Sequence, residues 1–194
     1  MPLEIDKIIR NKIEETYPEF STSVDNYLKW IPLYSIFFLD AAHAQTRNNW
    51  KKQILLVAAS EAIQSMLTNP LKKIVHEGRP VPSLRHNSFP SGHAATSFAG
   101  AEILRIELKR EYPVLCYSGY AVAAATGILR LYKNKHWFSD VAAGAAIGIL
   151  SARLAYLLFS AKKETMSKSG KRETAKTMAN KQLTHGSRLR PHDS

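Results

Sequence analysis

One cysteine, Cys116, occurs in 194 residues, so neither a disulfide framework nor a cysteine-based zinc site can be assembled. The chain shows no internal repeat, no zinc-finger spacing and no RNP-like aromatic pattern. Those absences remove the common nucleic-acid-binding modules, and no nucleic-acid partner is expected although Lys and Arg outnumber Asp and Glu by 27 to 16. A secretory leader is not expected either, because "LEIDKIIRNKIEETY" has no basic start followed by an apolar run. Charge-free hydrocarbon runs are also missing. Asp40, His43, Glu61, Glu102 and Arg153 each interrupt an otherwise apolar stretch.

What is present is clustered. Residues 1–27 carry three basic against six acidic side chains, and residues 162–194 carry nine basic against three acidic. The mean hydropathy of −0.23 therefore averages unlike parts. Leu3, Ile5, Ile8, Ile9 and Ile13 recur at helical spacing, which predicts an amphipathic N-terminal helix within 1–27. The stretches 28–45, 51–70, 90–110, 113–132 and 139–161 are near the length of about 20 residues that crosses a bilayer. The expected fold is all-α, an integral-membrane bundle of about five spans over 28–161, followed by a basic, disordered tail at 162–194. A soluble helical bundle is the alternative for such interrupted stretches. Loop charge favours the membrane: with the tail inside, "QTRNNWKK" and "ELKREYP" are inside too, as the positive-inside rule requires. Connections 71–89 and 133–138 then share the outer face. "GAAIG", Gly144 to Gly148, would let the last helix pack closely on a neighbour.

The stretch "NSFPSGH" opens an apolar helix with residues that capping alone does not explain. Ser88 suits an N-cap and Pro90 a first turn. Gly92 weakens a helix, however, and His93 is titratable. A helix N-terminus with a small first turn also binds anions through its unpaired amides. Two further segments lie on the same predicted face. In "KKIVHEGRP", Lys72 is followed after six residues by Arg79 and Pro80. In "RLYKNKHWFSD", Arg130 is followed after five residues by His136 and after three more by Asp140.

Together these residues resemble the type 2 phosphatidic acid phosphatase and vanadium haloperoxidase superfamily. Its pattern runs K-x6-R-P, then P-S-G-H, then S-R-x5-H-x3-D. The sequence departs from it at one position, Leu129, where the family has serine. The motifs cover 72–140 and the surrounding apolar helices extend the resemblance over 28–161.

The chemistry follows from the residue types. A phosphate ester brings about two negative charges and spreads more over its equatorial oxygens during transfer. Lys72, Arg79 and Arg130 supply three cations, two of them able to bind as forks. Ser91, Gly92 and His93 add amide donors, and Ser91 a hydroxyl. Asp140, one helical turn after His136, can fix the imidazole tautomer and raise its basicity. The resemblance implies that His136 attacks phosphorus to give a phosphohistidine. It implies that His93 protonates the leaving oxygen and then activates water. No metal and no cofactor are expected, because the cations already neutralise the phosphoryl group. The implied substrate is a lipid phosphate or diphosphate, of the phosphatidate, phosphatidylglycerophosphate, undecaprenyl diphosphate or lipid A type, met at the extracytoplasmic face of the membrane. A soluble acid phosphatase or haloperoxidase of the same superfamily and a non-catalytic lipid-binding scaffold are the other readings. His86 is read as decoration of the substrate loop, and His76 and Glu77 as turn residues. Arg153, roughly 21 Å into the last span, needs a carboxylate or a route to the surface. Glu102 at similar depth is the expected partner, against local pairing of Glu102 with Arg105.

Overall fold

Three prolines decide how the apolar stretches divide into helices. In the computed structural model, which describes residues 2–81 and 86–159, the segment expected as one helix over 28–45 is broken. A short helix, α2 (Val24–Leu28), precedes α3 (Ile31–Ala41). Pro32 lies at the start of α3, where its fixed φ and missing N–H are tolerated. Pro70 ends nothing: α4 (Trp50–Val75) passes through it and stops at His76, whose φ of 49° and ψ of 38° are left-handed. His76 is thus the turn residue the sequence suggested. Lys72 and Lys73 fill the last turn of α4, where cations complement the helix dipole. Pro113 shortens the fourth stretch, which begins with a 3-10 turn at Leu115–Tyr117 before α6 (Ser118–Tyr132).

The other elements are α1 (Glu4–Thr16), α5 (Gly92–Leu108) and a final helix, α7 (Phe138–Phe159). No strand occurs among the described residues, so the all-α expectation holds. The described residues up to Tyr156 form one unit, Met1–Tyr156, and a second, Leu157–Ser194, contains only the last three described residues of α7. The tail expected to be disordered lies outside the described residues.

Helix α5 is the hub of the first unit. Seven of its seventeen residues are alanine, glycine or serine, and twelve are buried. It packs against α3, α4 and α6. The small-residue pattern in α7 does what its spacing predicts. A Cβ built on Gly144 would lie 2.4 Å from the Ser91 carbonyl oxygen, and one on Gly148 would lie 2.2 Å from that of Ala95. Only glycine permits this approach of α7 to α5.

Helix α7 is the one described helix both long enough and apolar enough, by length and composition, to cross a bilayer. Helix α4 has the length, but polar residues dilute it. They are not scattered: Gln53, Ser60, Gln64 and Thr68 are all buried, at helical spacing, whereas Ile54, Leu55, Met66 and Leu67 are exposed.

Candidate active site

Helix starts and helix ends converge on the site. Helix α5 begins at Gly92 with Ser91 as its N-cap, the serine oxygen accepting from the Ala94 amide at 3.4 Å. This corrects the expectation for Ser88. That residue is not a cap; its hydroxyl donates to Asp140 Oδ2 at 2.5 Å from a fully buried position. The Ser91 amide is also committed, donating to the Asp140 carbonyl at 3.0 Å. It is therefore not a phosphate donor, which leaves the amides of Gly92 and His93 in the first turn. A Cβ on Gly92 would meet nothing within 4 Å, so a ligand has room there to approach the backbone.

Asp140 has two structural tasks besides facing His136. It occupies the third position of α7, and its Oδ2 accepts from the Trp137 amide at 2.8 Å, one arm of a capping box. The next orphan amide is satisfied from far away. Asp6 of α1 accepts from the Ser139 amide and hydroxyl, both at 2.8 Å. The start of α7, and with it Asp140, is thereby held at both sides.

His136 Nδ1 lies 3.5 Å from Asp140 Oδ2 and 3.5 Å from Ser88 Oγ. These are long separations, and catalytic hydrogen bonds commonly tighten only in the complex with substrate. Burial pushes the His136 imidazolium down to about 4, against the hydrogen bond to Asp140, which raises it, while the charge of Arg130 lowers it further. The ring is therefore neutral near pH 7, the form that can attack phosphorus.

The first motif is organised by a residue the sequence reading passed over. Asn87 accepts at Oδ1 from Arg79 Nε and NH2, at 3.3 and 3.1 Å, and its carbonyl accepts from Lys72 Nζ at 3.1 Å. Lys72 also donates to the Pro90 carbonyl at 2.6 Å. Burial pushes the Lys72 ammonium down to about 8, helped by the charges of Arg79 and Arg130 and opposed by Asp140. Lys72, Arg79, Arg130, His136 and Asp140 thus share one electrostatic neighbourhood. His136 also acts on His93 through its charge. Trp137, through Nε1 on the Gly78 carbonyl at 2.8 Å, ties the first motif loop to the third.

Arg130 and His93 face a second unforeseen pair. Arg130 NH1 donates to Asp25 Oδ2 at 2.6 Å, and Lys133 Nζ to Asp25 Oδ1 at 2.7 Å. His93 Nε2 lies 2.9 Å from Asn26 Oδ1 and 3.9 Å from Asp25 Oδ2. Burial alone would raise the Asp25 carboxyl, but the hydrogen bonds from Lys133 and Arg130 outweigh it and hold the group below the usual carboxylate range. Leu129, at the position of the family serine, is half-buried and offers no hydroxyl. His86 stacks on His76, ring centroids 5.1 Å apart. No cluster of three or more His, Cys, Asp or Glu able to hold a metal occurs among the described residues.

Comparison with known proteins places this geometry. The family model described as the PAP2 superfamily matches residues 53–164, more than half of the sequence. The chain belongs to the PAP2 superfamily. It is 36% identical over 138 residues to a protein of Porphyromonas gingivalis named lipid A 1-phosphatase, covering 71% of this chain and 31% of that one. It is 34% identical over 107 residues to lipid phosphate phosphatase 2 of Arabidopsis thaliana, covering 50% of this chain and 34% of that one. The chain thus spans about a third of the length of the curated relatives it matches. Two crystal structures share the fold, each at a TM-score of 0.56. One is Aquifex aeolicus LpxE, at 20% identity over 75% of this chain and 93% of that one. The other is a transmembrane PAP2 type phosphatidylglycerolphosphate phosphatase from Bacillus subtilis, at 21% identity over 80% of this chain and 84% of that one.

Proposed function

We propose that this protein is a membrane-embedded phosphatase that removes a phosphate group from a lipid phosphate or diphosphate through a phosphohistidine on His136. The observation that carries this reading is the buried His136, with Nδ1 facing Asp140 and the charges of Arg130 and Lys72 acting on the ring. Lys72, Arg79 and Arg130 bind the phosphoryl oxygens, with Gly92 and His93 amides and the Ser91 hydroxyl adding neutral donors. Attack by His136 breaks the bond from phosphorus to the leaving oxygen, and His93 supplies the proton that oxygen takes up. Water, deprotonated by His93, then breaks the phosphorus–nitrogen bond and releases phosphate. The names of the relatives, lipid A 1-phosphatase and lipid phosphate phosphatase, support a lipid phosphate as substrate. The residues that would hold phosphate do not depend on a metal, and phosphate release is expected to continue in the presence of a chelator.

The membrane reading rests on faces rather than on lengths. Helix α4 buries its polar residues and exposes Ile54, Leu55, Met66 and Leu67. Helix α7 buries Gly144, Gly148, Ser151 and Ala152 and exposes Leu150 and Leu154. Small and polar inside, large and apolar outside, is the arrangement for a helix whose solvent is hydrocarbon. Of the five segments proposed to lie in the bilayer, α3 at eleven residues covers only about 16 Å and reaches part of the way. The domain limits of 28–161, the basic tail on the cytoplasmic side and the site on the opposite side complete the proposal.

The test is phosphate release by protein purified in detergent from a panel of phosphatidate, phosphatidylglycerophosphate, undecaprenyl diphosphate and lipid A. Activity on at least one lipid, abolished in His136→Ala, supports the reading. A variant that keeps full activity rejects the mechanism.

A further inference from the structure

Two of the site residues are held by a segment outside all three motifs. Asp25 and Asn26, adjacent in α2, reach across 105 and 67 residues of sequence to Arg130 and His93. We infer that Asp25 is a positioning residue for phosphate binding: its carboxylate anchors Arg130 by NH1 so that the remaining guanidinium edge is presented to the substrate. The inference rests on the proposed phosphatase activity and adds to it a residue that does not touch the substrate.

Geometry supports this in three ways. First, the anchor is one-sided. Arg130 gives NH1 to Asp25 at 2.6 Å, while its Nε, also buried, has no hydrogen-bond partner among the described residues. A buried guanidinium N–H without an acceptor is unfavourable. A phosphoryl oxygen would supply one. Second, the carboxylate is saturated. Oδ1 takes Lys133 at 2.7 Å, Oδ2 takes Arg130, and no part of the side chain is exposed. Displacement of Asp25 by substrate would strand two buried cations, which is strongly unfavourable. Asp25 therefore stays in place while phosphate binds beside it, rather than acting as an internal competitor for the pocket. Third, Arg130 lies in the last turn of α6 and Lys133 is its C-cap, six and three residues before His136. One carboxylate thus orients the guanidinium and the chain leading to the nucleophile. Asn26 acts alongside it: its Oδ1 lies 2.9 Å from His93 Nε2 and can accept a hydrogen bond from that nitrogen when it carries a proton.

A purely structural carboxylate would lower the amount of folded protein without changing the affinity of each active site. The experiment measures kcat and KM on phosphatidate in mixed micelles, with orthovanadate as a probe of the phosphoryl pocket. Asp25→Asn is expected to lower kcat/KM by about tenfold and to weaken vanadate inhibition by a similar factor. In a double-mutant cycle, Arg130→Ala is expected to cost less in the Asp25→Asn background than alone, because the two act as a unit. Independent, multiplicative losses overturn the inference, as does unchanged vanadate inhibition. Should Asp25→Asn fail to accumulate, Asp25→Glu carries the test. Its charge is kept but displaced by one methylene, and kcat/KM is expected to fall about fivefold with unaltered thermal midpoint. Wild-type values in Asp25→Glu then reject the role. His136→Ala is assayed in parallel: if it still releases phosphate, the phosphatase mechanism fails. If it is inactive while the Asp25 variants behave as wild type, only the positioning role fails.

Discussion

Arg153 of α7 donates from Nε to Glu102 of α5 at 2.8 Å, while Arg105 grips the same carboxylate from one turn away at 2.7 and 2.8 Å. Both pairings weighed from the sequence therefore exist at once. Tyr120 of α6 completes the group through its hydroxyl. A fully buried carboxylate thus joins the helix that carries His93 in its first turn to the one that begins beside His136.

Removing the shared acceptor is expected to cost more than removing one donor. Glu102→Gln leaves Arg105 and Arg153 without their counter-charge and should lower stability by about 3 kcal/mol. Arg153→Met leaves Arg105 and Tyr120 on the carboxylate, so it should cost less, about 1 kcal/mol. The double variant should be less destabilised than the sum, measured by thermal or denaturant unfolding in detergent. Strict additivity would show that the 2.8 Å contact carries no energy.

The pH dependence of kcat/KM should be a bell wider on its acid side than an ordinary histidine gives. In the proposed mechanism His136 acts as the neutral ring, and with its titration near 4, activity should be retained through pH 6 and fall only as the ring is protonated below that. Lys72 would act as the cation, and with its titration near 8, phosphate binding should weaken as pH rises past that value. Lys72→Arg tests this assignment. Arginine stays charged throughout the accessible range. The limb should move upward in Lys72→Arg if Lys72 sets it, and stay where it is if another group does.

Ser88→Ala removes the 2.5 Å hydrogen bond on Asp140 without touching the phosphate site. Asp140 Oδ1 already lacks a partner among the described residues, so the variant leaves this buried carboxylate further under-satisfied. We expect kcat to fall by about tenfold with KM nearly unchanged, in line with the worth of one hydrogen bond to a charged group. A matching rise in KM would mean that Ser88 contacts the substrate instead.

Gly148→Ala probes the seam between α5 and α7. The added carbon would meet the Ala95 carbonyl oxygen at 2.2 Å and the Ala99 nitrogen at 2.9 Å, both backbone atoms that cannot rotate away. Overpacking of this kind costs about 1–3 kcal/mol, seen as a lower thermal midpoint. Loss of activity in excess of the loss of folded protein is expected as well, because α5 and α7 carry His93 and Asp140. A midpoint equal to that of the wild type would show that the helices part without cost.

The helices and the motif residues were legible because both signals are local. Apolar spacing marked α1, and the apolar stretches marked α3 to α7 but not the short α2, while the i, i+4 pair His136–Asp140 announced its own geometry. Boundaries failed where proline was misjudged: Pro32 opens α3 and Pro70 does not close α4. Ser88 was mistaken for a cap because a serine before an apolar run satisfies the capping rule at several registers, and only the packed structure shows that Ser91 occupies the position. Asn87 had a readable signal, an amide between two cationic motifs. Asp25 and Asn26 had none. Their partners lie 67 to 108 residues away, across contacts that no periodicity encodes.

The two glycines of α7 also constrain how the site is held. With backbone touching backbone at Ser91 and Ala95, no side chain larger than hydrogen fits at Gly144 or Gly148, and Arg153 ties the same two helices through Glu102 lower down. The distance between α5 and α7, and so between the helices that carry His93 and Asp140, is set by backbone contact rather than by side-chain length.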